Sequence, residues 1–95
     1  MAGEDPRYLA FVRTLPCCVP GCWRDSAAHH RTVPGMSRKS HDHEAMPLCH
    51  LHHTEFHALN GYFKGWVQEQ IRAWQFEQVT RTQARSWLNA AVDAF

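Results

Sequence analysis

The sequence predicts a small α+β domain stapled by zinc, with two short strands and a helix at its centre, one helix before them and two after. Three observations predict it: the chain is too short to rest on its apolar core alone, two Cys/His pairs stand far apart, and the hydrophobic period changes near Leu48. At 95 residues one domain would bury only roughly 60 to 65% of its unfolded surface, so staples are expected. The opening Met-Ala-Gly-Glu-Asp-Pro-Arg has no charged-then-apolar segment, and no apolar run reaches membrane length. These features predict a cytoplasmic protein without membrane association. In a reducing compartment cysteines beside histidines bind metal rather than pair with each other, and all 8 His fall between residues 29 and 57.

The elements follow in order along one domain, residues 1–95. Asp5-Pro6 suits an N-cap and first helical position, and Tyr8, Leu9, Phe11, Val12 and Leu15 keep helical spacing until Pro16. Residues 1–16 therefore form the N-terminal helix. Cys17 to Arg24, rich in Cys, Pro and Gly, reads as a turn gripping an ion, and residues 26–48 read as two short strands flanking a loop. From Leu48, the residues Leu48, Leu51, Phe56 and Leu59 suit the buried stripe of a helix that Asn60-Gly61 ends. The knuckle and this ββα unit occupy 17–60. In 61–95, Phe63, Val67, Ile71 and Trp74 predict one amphipathic helix, and Ala84, Trp87, Leu88, Ala91, Val92 and Phe95 a second. Thr80 with Gln83 makes a capping box at the start of that second helix. Trp66, Trp74 and Trp87 are expected in the core.

Cys17 with Cys22, and Cys49 with His52, are two short-range pairs of the kind that close a tetrahedral zinc shell. Cys18 could replace Cys17; Cys17 is preferred because it leaves Val-Pro-Gly for the tight turn. His53 and His57, four apart on the predicted helix, project from one face and form a ligand pair that needs a third partner. His29-His30 lies on a predicted strand, so one ring can ligate while its neighbour takes a separate task. His50 is expected to point outward.

Leu-Pro-Cys-Cys-Val-Pro-Gly-Cys, Ala-His-His-Arg-Thr-Val-Pro-Gly and Pro-Leu-Cys-His-Leu-His-His-Thr-Glu-Phe-His together resemble the HNH (ββα-metal, His-Me finger) endonuclease superfamily over about residues 15 to 57. The likeness is greatest to small phage and prophage members, including the recombination-enhancement nucleases. It implies a metal-dependent hydrolase that cuts DNA phosphodiester bonds. By that resemblance His29, His53 and His57 hold the catalytic ion and His30 is the general base. A neutral imidazole can take the proton of the attacking water, while the ion polarises the phosphate. The chain departs from the family at the middle letter, having no Asn between Arg31 and Leu48. Asp42, five residues before Pro47, is the candidate there, with His41 and His43 as rivals.

Arg31, Arg38 and Lys39 are candidate phosphate contacts. With a formal charge of +1 the chain is no strongly basic nucleic-acid binder, so modest, salt-sensitive DNA binding is expected, with a partner protein able to supply targeting. The cofactors expected are a structural zinc and one catalytic divalent ion, Mg2+, Mn2+, Ni2+ or Zn2+; three imidazoles disfavour magnesium as the resting ion. The chain is read as a monomer or homodimer. A zinc-knuckle module that binds nucleic acid or protein without chemistry is the alternative, but it has no use for a second histidine cluster. A metal carrier or sensor ranks below both, since it gains little from a closed staple beside an open site.

Overall fold

A computed structural model describes residues 5–30 and 44–93, the side chains of His30 and of residues 90–93 excepted. Helix α1 spans Pro6–Arg13, strand β1 Ala27–His30, strand β2 Ala45–Leu48 and helix α2 His50–Ala58; a 3-10 turn at Gly61–Phe63 precedes helix α3, Gln68–Asp93. The start of α1 is as the sequence predicts: the Asp5 carboxylate accepts the Tyr8 N–H at 3.1 Å and Pro6 needs no donor partner there. Tyr8 and Val12 then bury against Ala45, and the Tyr8 hydroxyl donates to the Ala45 carbonyl at 2.8 Å.

The strands pair antiparallel with Ala27 opposite Leu48, Ala28 opposite Pro47, His29 opposite Met46 and His30 opposite Ala45. Pro47 sits inside β2 because a two-stranded sheet has only edges, where a missing N–H costs little. Its carbonyl receives the Cys18 N–H at 3.0 Å, tying the knuckle to the sheet. On the other side Met46, Leu48, Phe56, Phe63, Ile71, Trp74 and Val79 form the main core. Phe63 is fully buried, with its ring edge-to-face against Phe56 at 5.3 Å and Trp74 at 5.0 Å.

Two expectations need correction. The predicted pair of C-terminal helices is one continuous helix of 26 residues. No Gly or Pro interrupts Gln68–Asp93, and near the expected cap Thr82 Oγ1 donates to the Gln78 carbonyl at 2.7 Å, a bond internal to a running helix. Its far half leaves the core: Trp87 is 72% and Leu88 57% exposed, so Trp87 is not a core residue, whereas Trp74 is buried and Trp66 packs at the core's margin. The stripe expected for α2 is also absent. Leu48 belongs to β2, Leu51 and Leu59 are exposed, and Phe56 alone is buried from this helix. The helix stops at Ala58 with Leu59 in the left-handed conformation (φ 52°), and the Asn60 N–H closes it on the Glu55 carbonyl at 3.1 Å before Gly61 begins the next turn. Among the described residues no helix is long and apolar enough to cross a membrane.

Candidate metal centre

The knuckle is a small loop closed at its base by a bridge between Pro16 and Asp25 and by the Cys17 N–H on the Arg24 carbonyl at 3.1 Å. At its tip the Cys22 N–H reaches the Val19 carbonyl at 3.0 Å across Pro20-Gly21, and Gly21 has φ +80°. Proline first and a positive-φ glycine second is the type II turn pattern, which explains Val-Pro-Gly between the cysteines. Across the gap Cys49 caps α2, its Sγ accepting the His52 N–H at 3.4 Å, so the cap residue and the first turn deliver the second pair.

The donor atoms of Cys17, Cys22, Cys49 and His52 lie within 4.8 Å of one another, positioned to bind a metal such as zinc. Cys17 Sγ is 3.5 Å and Cys49 Sγ 3.2 Å from His52 Nδ1, and Cys22 Sγ is 3.9 Å from Cys49 Sγ. Ordinary zinc–sulfur and zinc–nitrogen bonds arranged tetrahedrally give edges of about 3.6 Å for S···N and about 3.8 Å for S···S, so the donor set fits that ion. All four cysteines are unpaired by disulfides. Cys18 is not one of the four; burial and the neighbouring Cys17 push its thiol up to about 12. Burial likewise raises Cys17 to about 11. Burial also works against ionising Cys49, but the His52 N–H and the Cys17 and Cys22 thiols outweigh it and pull Cys49 below the usual range. An ion entering here must displace thiol protons, which couples its binding to pH.

Sequence reasoning missed the support behind His52. Glu55 Oε1 lies 3.7 Å from His52 Nε2, on the side of the ring away from the thiols, and also accepts the Tyr62 N–H at 3.4 Å. Gly61, at φ +55°, is where a Cβ would run into that carboxylate. The signal was available in the sequence, because a Glu three residues after a ligand His on a helix shares its face.

The second histidine cluster assembles from different elements. His29 Nδ1, from β1, is 3.1 Å from His53 Nε2, which is 2.9 Å from His57 Nε2, and all three donor atoms lie within 4.8 Å of one another. His29 is buried with its ring 5.0 Å from Phe56, whereas His57 is exposed, so the cluster is walled on one side and open on the other. One nitrogen of His53 faces two others, and a single proton can bridge only one pair; a cation satisfies three lone pairs together. Burial, then His57 and His50, lower the His53 pKa below its ordinary value, favouring the neutral ring that can ligate.

His30 ends β1 beside His29, with its side chain outside the described set, and Arg31, Arg38, Lys39, Asp42, His41 and His43 lie outside the described residues. His50 is exposed, as expected.

The fold and donors define a small α+β domain with a three-Cys, one-His centre positioned to bind a metal. The chain belongs to the family described as Protein of unknown function (DUF968), which it matches over residues 1–86. It is 38% identical over 67 residues to the Uncharacterized protein YdfU of Escherichia coli (strain K12), a stretch covering 68% of this chain and 19% of that protein. The chain thus matches about a fifth of that relative's length. No solved structure matches it.

Proposed function

We propose that the protein is a metal-dependent endonuclease of the HNH type that hydrolyses DNA phosphodiester bonds. The observation that carries this reading is the meeting of His29 from β1 with His53 and His57 from α2, beside a separate thiolate-rich centre that holds the knuckle to that helix. A purely structural domain needs the thiolate-rich centre only. Three neutral imidazoles with one open side would hold a divalent ion and leave room for a phosphate oxygen and water; such an ion supplies charge stabilisation to the phosphate.

The chain's own residues do the rest. His30, the next residue on β1 after His29 and paired with Ala45, is assigned the proton of the attacking water. Asp42 is assigned to orient His30, and Arg31, Arg38 and Lys39 to hold phosphates. Cys17, Cys22, Cys49 and His52, once they hold an ion, would keep the N-terminal end of α2, and so His53 and His57, fixed relative to the knuckle. The test is supercoiled plasmid incubated with protein under added Mg2+, Mn2+, Ni2+ or Zn2+, beside His30→Ala and His53→Ala. Relaxation or linearisation by wild type alone is expected; equal cutting by both variants, or none by wild type under any ion, would refute the reading.

A further inference from the structure

Trp23 follows the zinc-ligand candidate Cys22 directly and is 83% exposed, more than any other large apolar side chain described. It lines two hollows. The first, about 490 Å³, lies between the knuckle and α3 and includes Leu15, Pro47, Arg81 and Arg85 in its walls. The second, about 390 Å³, shares Trp23 with the first and includes Arg24 and Tyr62 in its walls. Arg24 is shared with a third, about 440 Å³, that reaches His50 and Thr54 on the exposed face of α2. The first two share the knuckle residues Val19 to Trp23 and the last two share Arg24 and Leu51, so the three adjoin in series, a furrow of hollows from α3 to the helix that carries His53 and His57.

The furrow's chemistry is one-sided. Among the described residues no acidic side chain lines the first two hollows, which carry three arginines between them, and Asp25 is the one described carboxylate in the third. Arg81 is held by Glu77 at 2.7 Å, but both side chains are exposed, so the guanidinium can exchange that partner for a phosphate at little cost. An open indole flanked by guanidinium groups suits an unpaired base stacked on the ring with its backbone beside the cations. In a duplex the base faces are already stacked on each other, and only an unpaired stretch offers one to Trp23. The indole's attachment beside Cys22 fixes the backbone beneath the platform once the knuckle is closed.

We propose that this furrow is a binding track for single-stranded nucleic acid, with Trp23 as its stacking platform and Arg24, Arg81 and Arg85 as its phosphate contacts. The inference rests on the nucleic-acid part of the nuclease reading and not on cleavage. It is tested by the anisotropy of a short labelled oligothymidylate, and of a duplex of the same length, titrated with zinc-loaded protein without other added ions. Trp23→Ala should weaken single-strand binding about 5- to 150-fold and duplex binding much less, with Trp23→Phe restoring part of the loss. Arg81→Gln with Arg85→Gln should flatten the dependence of log affinity on log salt by about 1.4. Zinc content and far-UV circular dichroism should match wild type in every variant, since all three side chains are exposed. Equal affinity of wild type and Trp23→Ala, or no binding of single strands at all, would overturn the track. Trp23-dependent binding by a protein that never cuts plasmid keeps the track and refutes the nuclease; cutting with Trp23-independent binding does the reverse.

Discussion

The two histidine-bearing clusters share a helix but are built in opposite ways. Cys17, Cys22, Cys49 and His52 complete a fourfold shell, with Cys17 and Cys49 buried and a turn and a helix cap delivering one pair each. His29, His53 and His57 make a threefold shell, with His57 exposed and a strand opposite a helix. A closed thiolate shell is how a short chain adds stability that its core cannot supply, while an open imidazole shell keeps positions for a ligand. The first is read as the fold's staple and the second as the place where chemistry is done.

The largest effect should come from Cys49, which is buried, caps α2 and supplies a donor. Structural zinc contributes an apparent ~10 to 16 kcal/mol in zinc-finger peptides, comparable with the whole stability of a domain. Cys49→Ala should therefore lose its zinc, its cooperative melt and most helical signal, as read by elemental analysis and circular dichroism. A folded, zinc-free Cys49→Ala would break the distinction at once. His53→Ala should behave differently, retaining the zinc and a melting transition within about 1 kcal/mol of wild type, because this side chain is only half-buried. Plasmid cutting should nevertheless fall more than about a hundredfold, the cost of losing several kcal/mol of charge stabilisation.

Smaller effects sharpen the contrast. Glu55→Ala should weaken zinc about 10- to 100-fold in competition with a chromophoric chelator and leave the second ion's affinity unchanged. Gly61→Ala should act in the same direction by displacing the Glu55 carboxylate. In metal-free protein His53 has a pKa below its ordinary 6.5, owing to burial, His57 and His50. Its folded state favours the neutral ring, so this contribution is present above 6.5 and is lost as pH falls through the lower folded value; a urea series across that window checks it. In loaded protein, acidification through the same window should release the ion at the histidines while the buried staple holds. The smallest effect is remote from both clusters. Burial and Asp5 push Tyr8 up to about 12 from 10.0. Stability carried by its hydroxyl is present below pH 10 and lost as pH rises through about 12. Tyr8→Phe should cost about 1 kcal/mol, flatten that alkaline loss in urea melts and leave both ions in place.

The four-residue cluster and the His53–His57 pair are legible in the sequence because metal ligation leaves short-range marks, two pairs of soft ligands, a His pair at helical spacing and a Pro-Gly turn between cysteines; His29, remote in sequence, joins them only through the family resemblance. The start of α1 was legible for a similar reason, since Asp5 and Pro6 act within one turn. The failures share a cause as well. Thr80 and Gln83 make a capping box only where the chain stops being helical, and nothing between Gln68 and Asp93 stops it. Leu51 and Leu59 suit a buried stripe only if packing holds α2, whereas its N-terminus is capped by the Cys49 thiol on the His52 N–H and Phe56 is its one buried residue. Where ligands fix a helix, its hydrophobic pattern carries less information. Cys17 is preferred over Cys18 because it leaves Val-Pro-Gly for the turn, and in the structure it is Cys17 whose sulfur groups with Cys22, Cys49 and His52.

The claim of two centres with two duties is tested most directly by counting bound ions. Protein loaded with excess zinc and weighed by native mass spectrometry, before and after a mild chelator, should carry two ions and then one, and His53→Ala should carry one throughout. A wild-type protein that never holds more than one ion, in the same amount as His53→Ala, would contradict it.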